Sequence, residues 1–432
     1  MKAQAIKFRW LISEYDVRST ESTRYPLMSV SQHLGVIPRS ELKGDEGRAE
    51  SIDNYKTSKP GQIVLNRMSA ASGALGIASE HGLVSPDYAV LQPSEFVEPK
   101  FLYYLMKSDW FIGQMVARLK GIGAGGEGAS VRTPRVNISD LGDIDVNLPS
   151  IEEQRRIAEY LDEQVQSLRK IIAKKESLLN SMSQERLTKI SALVTNGFNR
   201  EKTNIGSEID DWIFSKPKEW KLLPLKHLVS VDNSGVWGEE PGVLDYDIPI
   251  ATTAHLTRTN TFLFDQMPIR SLELRDLKKY VCRSGDLVVV KSSGSSDNIM
   301  SGKVCVVGED APTFAFSNFL MKLRPFDIKL SRFLQAFLSS HIGVERVKRM
   351  VSVTTYPNLR VEEYMNSLVP VPPESEIERL DRTIAGIENC YASLIEKIEK
   401  SIELLKLYES SLITVFVTGV NQIVDKGGAD ES

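Results

Sequence analysis

The sequence of 432 residues has few of the features that mark secreted or membrane proteins. Its three cysteines, Cys282, Cys305 and Cys390, form no close pair, so we expect neither a disulfide framework nor a cysteine-based zinc site. No run of about 18 apolar residues occurs, and Lys2 and Lys7 interrupt the N-terminal segment where a signal peptide needs an apolar core. We therefore expect a cytoplasmic protein with reduced thiols.

A strong charge of one sign is also absent. The net charge is -4, and the acidic excess lies in residues 374–432, which hold 12 acidic and 6 basic side chains. Hydrophobic residues make up 41% and charged residues 25%, which is typical of a folded globular chain with more than one domain. Any contact with nucleic acid therefore depends on local basic clusters.

Most motifs of catalysis and cofactor binding are missing. The sequence contains no GxxxxGK[ST] or GxSxG, and no histidine lies near a cysteine at metal-ligand spacing. The glycine-rich run at 123–128 formally satisfies GxGxxG, but it follows a helical pattern where a dinucleotide site needs a strand. We interpret it as a loop, and we predict no catalytic, metal-binding or cofactor-binding residue in this chain.

The sequence does contain a long internal repeat, with offsets of 223 to 232 residues between the two copies. The matched pairs, in order along the chain, are Gly61 with Gly285, Leu91-x-Pro93 with Leu323-x-Pro325, Pro134 with Pro357, Leu148-Pro149 with Val371-Pro372, and Val194-Thr195 with Val417-Thr418. Because the order is preserved while the offset drifts as loop insertions would make it drift, we predict two similar halves.

Each half ends in a pattern typical of a long helix. In the second half, Ile384, Ile387, Tyr391, Leu394 and Ile398 follow alternating steps of three and four, the heptad seam of a coiled coil. The first helix repeats the pattern less strictly. Upstream, strand-like runs at 62–65 and 286–290 and helical patterns at 101–107 and 332–339 indicate mixed segments.

These patterns predict an α+β fold with two repeated domains joined by two long antiparallel coiled-coil helices in a pseudo-twofold arrangement. The predicted segments are a first domain at 1–150, a first long helix at 151–198, a linker and second domain at 199–373, a second long helix at 374–420 and a flexible tail at 421–432.

One constellation imitates the PD…ExK arrangement of metal-dependent nucleases. Asp87 follows a proline, and Glu98 and Lys100 follow at the required spacing, so two carboxylates could bind Mg²⁺ while the lysine activates water. In the second copy the positions of the two acids hold Phe319 and Leu330. Turn and capping roles for Asp87 and Glu98 explain the pattern without a lost active site.

Basic and polar side chains cluster at equivalent places before the two long helices. Such groups bind phosphates and base edges, although a solvated surface loop explains any single one of them. The candidate DNA-binding residues are Arg67, Lys120, Arg132 and Arg135 in the first half, and Lys291, Arg346, Lys348, Arg349, Tyr356, Asn358 and Arg360 in the second. In the second half we predict that Tyr356, Asn358 and Arg360 contact bases or sugars. We predict that Arg346, Lys348 and Arg349 contact phosphates.

The starts of the two long helices, VNLPSIEEQRRIAEYLDEQVQSLRKII and VPVPPESEIERLDRTIAGIENCYASLI, resemble those of the specificity subunits of type I restriction-modification systems. The segment TPRVNISDLGDIDVNLPS resembles that family too, and the likeness extends over nearly the whole chain. The second helix departs from the pattern at Glu376-Ile377, where the family has a Glu-Gln pair.

The resemblance implies a non-catalytic subunit with two target-recognition domains that read a bipartite, asymmetric DNA sequence. It further implies two copies of an adenine-N6 methyltransferase subunit and a nuclease-translocase subunit as partners. These would hold S-adenosylmethionine, Mg²⁺ and ATP, with no cofactor in this chain. The alternatives are a coiled-coil scaffold with two protein-binding heads and the PD-ExK-like nuclease.

Overall fold

A computed structural model describes residues 4–19, 25–32, 34–41, 54–119, 135–198, 201–206, 210–257, 259–295, 298–353 and 357–420. The chain divides into two compact units. The first unit comprises Met1–Lys175 with Lys400–Ser432, and the second comprises Glu176–Glu399. Each long helix therefore contributes residues to both units.

The first unit is built on an antiparallel sheet in the order β2-β9-β6-β7, with a separate antiparallel pair of β1 and β10. Its strands are β1 (Gln4–Lys7), β2 (Ile12–Glu14), β3 (Met28–Ser31), β4 (Gly35–Pro38), β5 (Lys56–Ser58), β6 (Ile63–Asn66), β7 (Leu75–Ile77), β8 (Gly82–Val84), β9 (Tyr88–Pro93) and β10 (Asp145–Leu148). Its helices are α1 (Pro99–Lys107), α2 (Asp109–Val116), α3 (Ile138–Leu141), the first part of α4 (Ile151–Asn196) and the last part of the C-terminal helix α9 (Glu374–Val417).

The second unit is built on an antiparallel sheet in the order β14-β22-β17-β20, with a separate antiparallel pair of β13 and β25. Its strands are β11 (Lys202–Asn204), β12 (Ser215–Pro217), β13 (Lys221–Pro224), β14 (Val229–Asp232), β15 (Tyr246–Ala251), β16 (Ile269–Leu272), β17 (Leu287–Val290), β18 (Gly294–Ser295), β19 (Asn298–Ile299), β20 (Val304–Val306), β21 (Ala315–Phe316), β22 (Leu320–Pro325), β23 (Val351–Val353), β24 (Pro357–Leu359) and β25 (Leu368–Val371). Its helices are α5 (Leu274–Tyr280), α6 (Ser331–Leu338), α7 (His341–Met350), α8 (Val361–Asn366), the last part of α4 and the first part of α9 (Glu374–Val417).

The two units share one framework. The strands β2, β9, β6 and β7 correspond in chain order and pairing to β14, β22, β17 and β20, and α1, α2 and α3 correspond to α6, α7 and α8. Gly61 and Gly285, which lie two residues before β6 and β17, both have φ of 84°, a conformation in which a side chain would be strained. Their amides donate to Ala78 and Val307 at the same distance, 2.9 Å. The predicted repeat and α+β fold class are confirmed.

The units differ in what is attached to this framework. In the first unit, β3 pairs with β4 and β5 pairs with β8, each as an antiparallel two-stranded ladder. In the second unit the corresponding stretch forms a three-stranded sheet in the order β16-β15-β21, with β15 and β21 parallel. Cys282 and Cys305 are buried in the apolar cluster beside this sheet, where they serve as packing residues.

Within each unit, α4 and α9 run antiparallel. In the first unit the ring centres of Tyr160 and Phe416 lie 4.8 Å apart, and the Arg169 guanidinium lies 2.8 Å from the Glu409 carboxylate. Residues later in α4 thus contact residues earlier in α9. In the second unit Lys189 donates to the Tyr391 hydroxyl at 2.9 Å. Nearer the end of α4, the Arg379 guanidinium stacks on Phe198, 3.9 Å from the ring centre, which gives the same direction.

The seam of α9 departs from the predicted register at Leu394. That side chain is 44% exposed, whereas Tyr391, Ile395 and Ile402 are between 7% and 8% exposed. The heptad pattern predicts that the buried residue after Tyr391 is three positions on, at Leu394. In the structure it is four positions on, at Ile395. Because a straight α-helix has 3.6 residues per turn, a stripe counted with a 3.5-residue period drifts sideways along it. The seam assignment of Leu394 was wrong, and Ile395 takes its place.

The start of α4 explains the LPSIEEQ sequence. The Ser150 hydroxyl accepts from the Glu153 amide at 3.3 Å, an N-cap interaction. Gln154 is 1% exposed, donates to the Phe96 carbonyl at 3.1 Å and accepts from the Glu98 amide at 2.8 Å. It thereby fastens the start of the helix to the segment before α1. At the corresponding place in α9, Ile377 packs into the apolar core instead.

Candidate nucleic-acid interface

One backbone hydrogen bond occurs in both units at the repeat offset. At the end of β6, the Arg67 carbonyl accepts from the Val136 amide at 3.2 Å. At the end of β17, the Lys291 carbonyl accepts from the Leu359 amide at 2.9 Å. The offsets between these positions are 224 and 223 residues. In each unit, therefore, a basic residue at a strand end lies beside the segment that carries the second predicted cluster.

In the second unit this contact joins two loops that the sequence presents separately. Ser292 and Asn358 form an antiparallel β-bridge, and the Ser301 hydroxyl donates to the Pro357 carbonyl at 2.7 Å. The Lys291 ammonium donates to the Asn233 carbonyl at 2.8 Å. Partial burial lowers the pKa of Lys291 from its ordinary value. Asn358 is exposed on an edge whose backbone is fixed by this bridge.

Arg360 lies at the end of the same edge, against the last turn of α7. It donates to the carbonyls of Met350 and Arg349 at 3.2 Å and 2.8 Å, and it pairs with Glu363. The side chain is half-exposed. It can turn towards a ligand only by releasing some of these contacts.

Two basic side chains on the last turn of α7 are exposed. Lys348 pairs with Glu345 in the same helix, and the Arg349 guanidinium stacks over Trp212, 4.5 Å from the ring centre. Both charges remain accessible to a phosphate. With Lys291, Asn358 and Arg360 they form what we call the second-unit basic edge.

Arg346 departs from the prediction that it contacts phosphate. The residue is 5% exposed, forms an ion pair with Asp210 and donates to the Leu368 carbonyl at 2.6 Å. Moving the guanidinium to the surface would leave the Asp210 carboxylate buried without its partner, which is strongly unfavourable. We therefore replace the phosphate-binding role of Arg346 with a structural one, holding α7 to the segments at Asp210 and Leu368.

In the first unit, the hydrogen bond from the Val136 amide to the Arg67 carbonyl brings the backbone of Arg135 close to that of Arg67. Arg67 is partly buried and forms an ion pair with Glu14, and Arg135 is exposed.

Three further candidates, Lys120, Arg132 and Tyr356, lie outside the described residues, as does the glycine-rich run at 123–128. Sequence reasoning missed Asn233 and Ser301, because only the fold brings these distant residues to the edge.

The three residues of the nuclease-like constellation each contact a different partner in the fold. Asp87 lies in a β-turn, where its amide donates to the Ser85 hydroxyl at 3.3 Å. Lys100 pairs with Asp162 of α4, which raises the pKa of the lysine, and Glu98 lies 3.6 Å from Arg155. Within the described residues, no group of three or more histidine, cysteine or acidic side chains could hold a metal ion.

Residues 11–181 match the family described as the type I restriction modification DNA specificity domain. The chain is 24% identical over 371 residues to the type I restriction enzyme MjaIX specificity subunit of Methanocaldococcus jannaschii, covering 83% of this chain and 78% of that protein. It is 22% identical to the type I restriction enzyme StySPI specificity subunit of Salmonella potsdam, covering 78% and 70%. Over most of its length, the chain is therefore similar to type I restriction enzyme specificity subunits.

A solved structure has the same fold as this chain. A chain from a study of complex assembly and conformational transition in a type I restriction-modification system aligns with a TM-score of 0.62. The alignment covers 97% of this chain and 98% of that one at 16% identity, so the likeness extends through both units and both long helices. Among the described residues, no helix is apolar over a length sufficient to span a membrane.

Proposed function

We propose that this chain is a type I specificity subunit that recognises a split, asymmetric DNA sequence, each unit reading one half-site. The observation that carries the proposal is the repeated hydrogen bond at Arg67 and Lys291, which places a basic strand end beside the second cluster in both units. Because a recognition element reaches only a few base edges in one groove, each unit reads a short sequence. The differing attachments of the two units support two different half-sites.

In this proposal the basic edge divides its work between phosphates and bases. Lys348 and Arg349 bind phosphates and fix the register of the protein on the duplex. Asn358 and Arg360 face base edges, for which amide and guanidinium groups have suitable donors and acceptors. Lys291 lies beside Leu359, and its ammonium is held by the hydrogen bond to the Asn233 carbonyl.

The chemistry of the complex belongs to partner subunits. We propose that this chain, a non-catalytic subunit, positions two copies of an adenine-N6 methyltransferase and a nuclease-translocase on the bound DNA. The partners hold S-adenosylmethionine, Mg²⁺ and ATP, and a target adenine leaves the base stack to reach the methyltransferase. The cytoplasm, where the chromosome lies, is the compartment that this function requires.

A domain exchange in the assembled methyltransferase complex tests the two-reader proposal. Residues 212–370 are replaced with the equivalent domain of a relative of known target, and methylated adenines are mapped across the host genome. We expect one half-site to change while the other stays the same. The reciprocal exchange of residues 1–150 is the control and should change the opposite half-site. A continuous target, or simultaneous change of both half-sites, would contradict the proposal.

An activity assay on the purified chain alone distinguishes a specificity subunit from the nuclease alternative. Given DNA, Mg²⁺ and S-adenosylmethionine, it is expected neither to cleave nor to methylate, because Lys100 and Glu98 are committed to contacts with α4. Methyl transfer or cleavage by the chain alone would refute the non-catalytic assignment. A complex that retains all DNA sequences equally would favour the scaffold with two protein-binding heads.

A further inference from the structure

A β-turn next to the second-unit basic edge presents an aromatic side chain to solvent. The Leu320 amide donates to the Ser317 carbonyl at 3.0 Å, which closes a four-residue turn with Asn318 and Phe319 at its tip. Phe319 is 60% exposed. Turn tips favour glycine, proline, asparagine, aspartate and serine, so the folding of the turn gives no reason for phenylalanine.

The first unit supplies an internal comparison. At the repeat offset of 232 residues, the Tyr88 amide donates to the Ser85 carbonyl at 3.0 Å and closes the same turn. There the tip position holds Asp87, a residue suited to a turn, and its amide is bonded to the Ser85 hydroxyl. The framework therefore forms this turn without an aromatic residue.

The turn is attached directly to the basic edge. The Phe319 carbonyl accepts from the amides of Lys291 and Ser292 at 2.9 Å and 3.2 Å, and Ser292 is the residue that bridges to Asn358. The exposed ring thus belongs to the same hydrogen-bonded edge as the polar groups proposed to face DNA. An apolar group beside donors for base edges fits the thymine 5-methyl group, the apolar feature of the major groove.

We propose that Phe319 is a specificity-determining residue of the second unit and that its ring contacts the 5-methyl group of a thymine in that unit's half-site. This inference rests on the proposed DNA-reading function. The first unit, with Asp87 at the corresponding position, has no such apolar contact and reads its half-site without it. The pair of turns thereby contributes to the asymmetry of the target.

The test compares the assembled methyltransferase complex carrying Phe319→Ala with one carrying Phe326→Ala. Phe326 is 69% exposed just beyond the opposite end of β22, so it controls for loss of an exposed aromatic residue that flanks the same strand. We expect Phe319→Ala to weaken binding to the specific site about tenfold, with binding to unrelated DNA and the salt dependence unchanged. Phe326→Ala should bind as the wild type does.

A deoxyuridine scan identifies the contacted base, because deoxyuridine lacks only the methyl group of thymidine. Replacement of one thymine in the second unit's half-site should weaken wild-type binding to a similar extent and should have no further effect on Phe319→Ala. Additive losses would overturn the contact, as would normal binding by Phe319→Ala. If Asn358→Ala loses specificity while Phe319→Ala does not, this inference fails and the proposed function stands. If no sequence is preferred by the wild-type complex, the proposed function itself fails.

Discussion

The sheets of the two units place different polar pairs at the same position, and one member of each pair is buried. In the first unit, the Gln62 amide donates to the Gln92 side chain at 3.0 Å. In the second unit, the corresponding residues are Asp286 and Arg324, joined by two hydrogen bonds of 2.7 Å. Gln62 and Asp286 are both 1% exposed. The position therefore requires a matched partner, while the chemistry of the pair is free to change between the units.

Gln62 and Asp286, the residues that follow Gly61 and Gly285, also make the same local hydrogen bond in the two units. The Gln62 side chain accepts from the Lys59 amide and Asp286 from the Arg283 amide, each at 2.8 Å. The framework thus preserves geometry and hydrogen bonding, whereas the exposed turn with Asp87 or Phe319 preserves only its backbone. This contrast predicts large losses of stability at framework positions and changes of binding without loss of stability at the edge.

The largest effect is expected in the seam of the long helices. Ile395→Asp places a charge at a position that is 8% exposed, and we expect it to lower the free energy of unfolding by about 3 to 5 kcal/mol and to prevent complex assembly. Leu394→Asp, at a position that is 44% exposed, should change it by no more than about 0.5 kcal/mol. Denaturant unfolding and gel filtration with the partner subunits measure both. Equal losses in the two variants would contradict the observed register.

The polar pairs at Gln62 and Asp286 give the next largest effect. Arg324→Gln leaves the Asp286 carboxylate buried without its cation, so we expect a loss of about 3 kcal/mol in the free energy of unfolding. Gln92→Leu in the first unit removes a neutral hydrogen bond and should lower it by about 1 kcal/mol.

The double variant Asp286→Gln with Arg324→Gln recreates the pair of the first unit and sharpens this comparison. It should recover most of the stability lost in Arg324→Gln, because neither side chain is then a buried unpaired charge. Chemical denaturation of the three variants provides the measurement. If the double variant is less stable than Arg324→Gln, the two positions are not interchangeable sites of one framework.

A smaller effect, on binding rather than stability, is expected at Asn358. Its backbone is fixed by the bridge to Ser292 and its side chain is exposed, so Asn358→Ala should leave unfolding unchanged. We expect a loss of about 1 to 3 kcal/mol in discrimination at one base pair of one half-site. Binding of the complex to a panel of single-base variants of the target measures this. Uniform weakening across the panel would assign Asn358 to phosphate instead.

The repeat, the long helices and the α+β class were predictable from the sequence because they depend on periodic or recurring patterns. The register at Leu394 was not, since a drift of one residue over several turns leaves the apolar pattern almost unchanged. Arg346 illustrates the limit for the site. A basic residue next to Lys348 and Arg349 has the composition of a surface cluster, and only the fold brings Asp210 to it. The contribution of Phe319 likewise depends on contacts between loops remote in sequence.

The smallest effect is expected at Lys348, an exposed charge of the basic edge. Its pair with Glu345 is a surface ion pair between neighbours in one helix and contributes at most about 1 kcal/mol to stability. Lys348→Ala should therefore leave unfolding almost unchanged and weaken binding to every DNA sequence by a similar factor. It should reduce the slope of log affinity against log salt by about 1, because one phosphate contact is lost. Arg382→Ala is the matched control, since Arg382 is also exposed and pairs within its own helix, with Glu378. Its salt slope should equal that of the wild type, and a change of sequence preference in Lys348→Ala would show that this side chain reads bases.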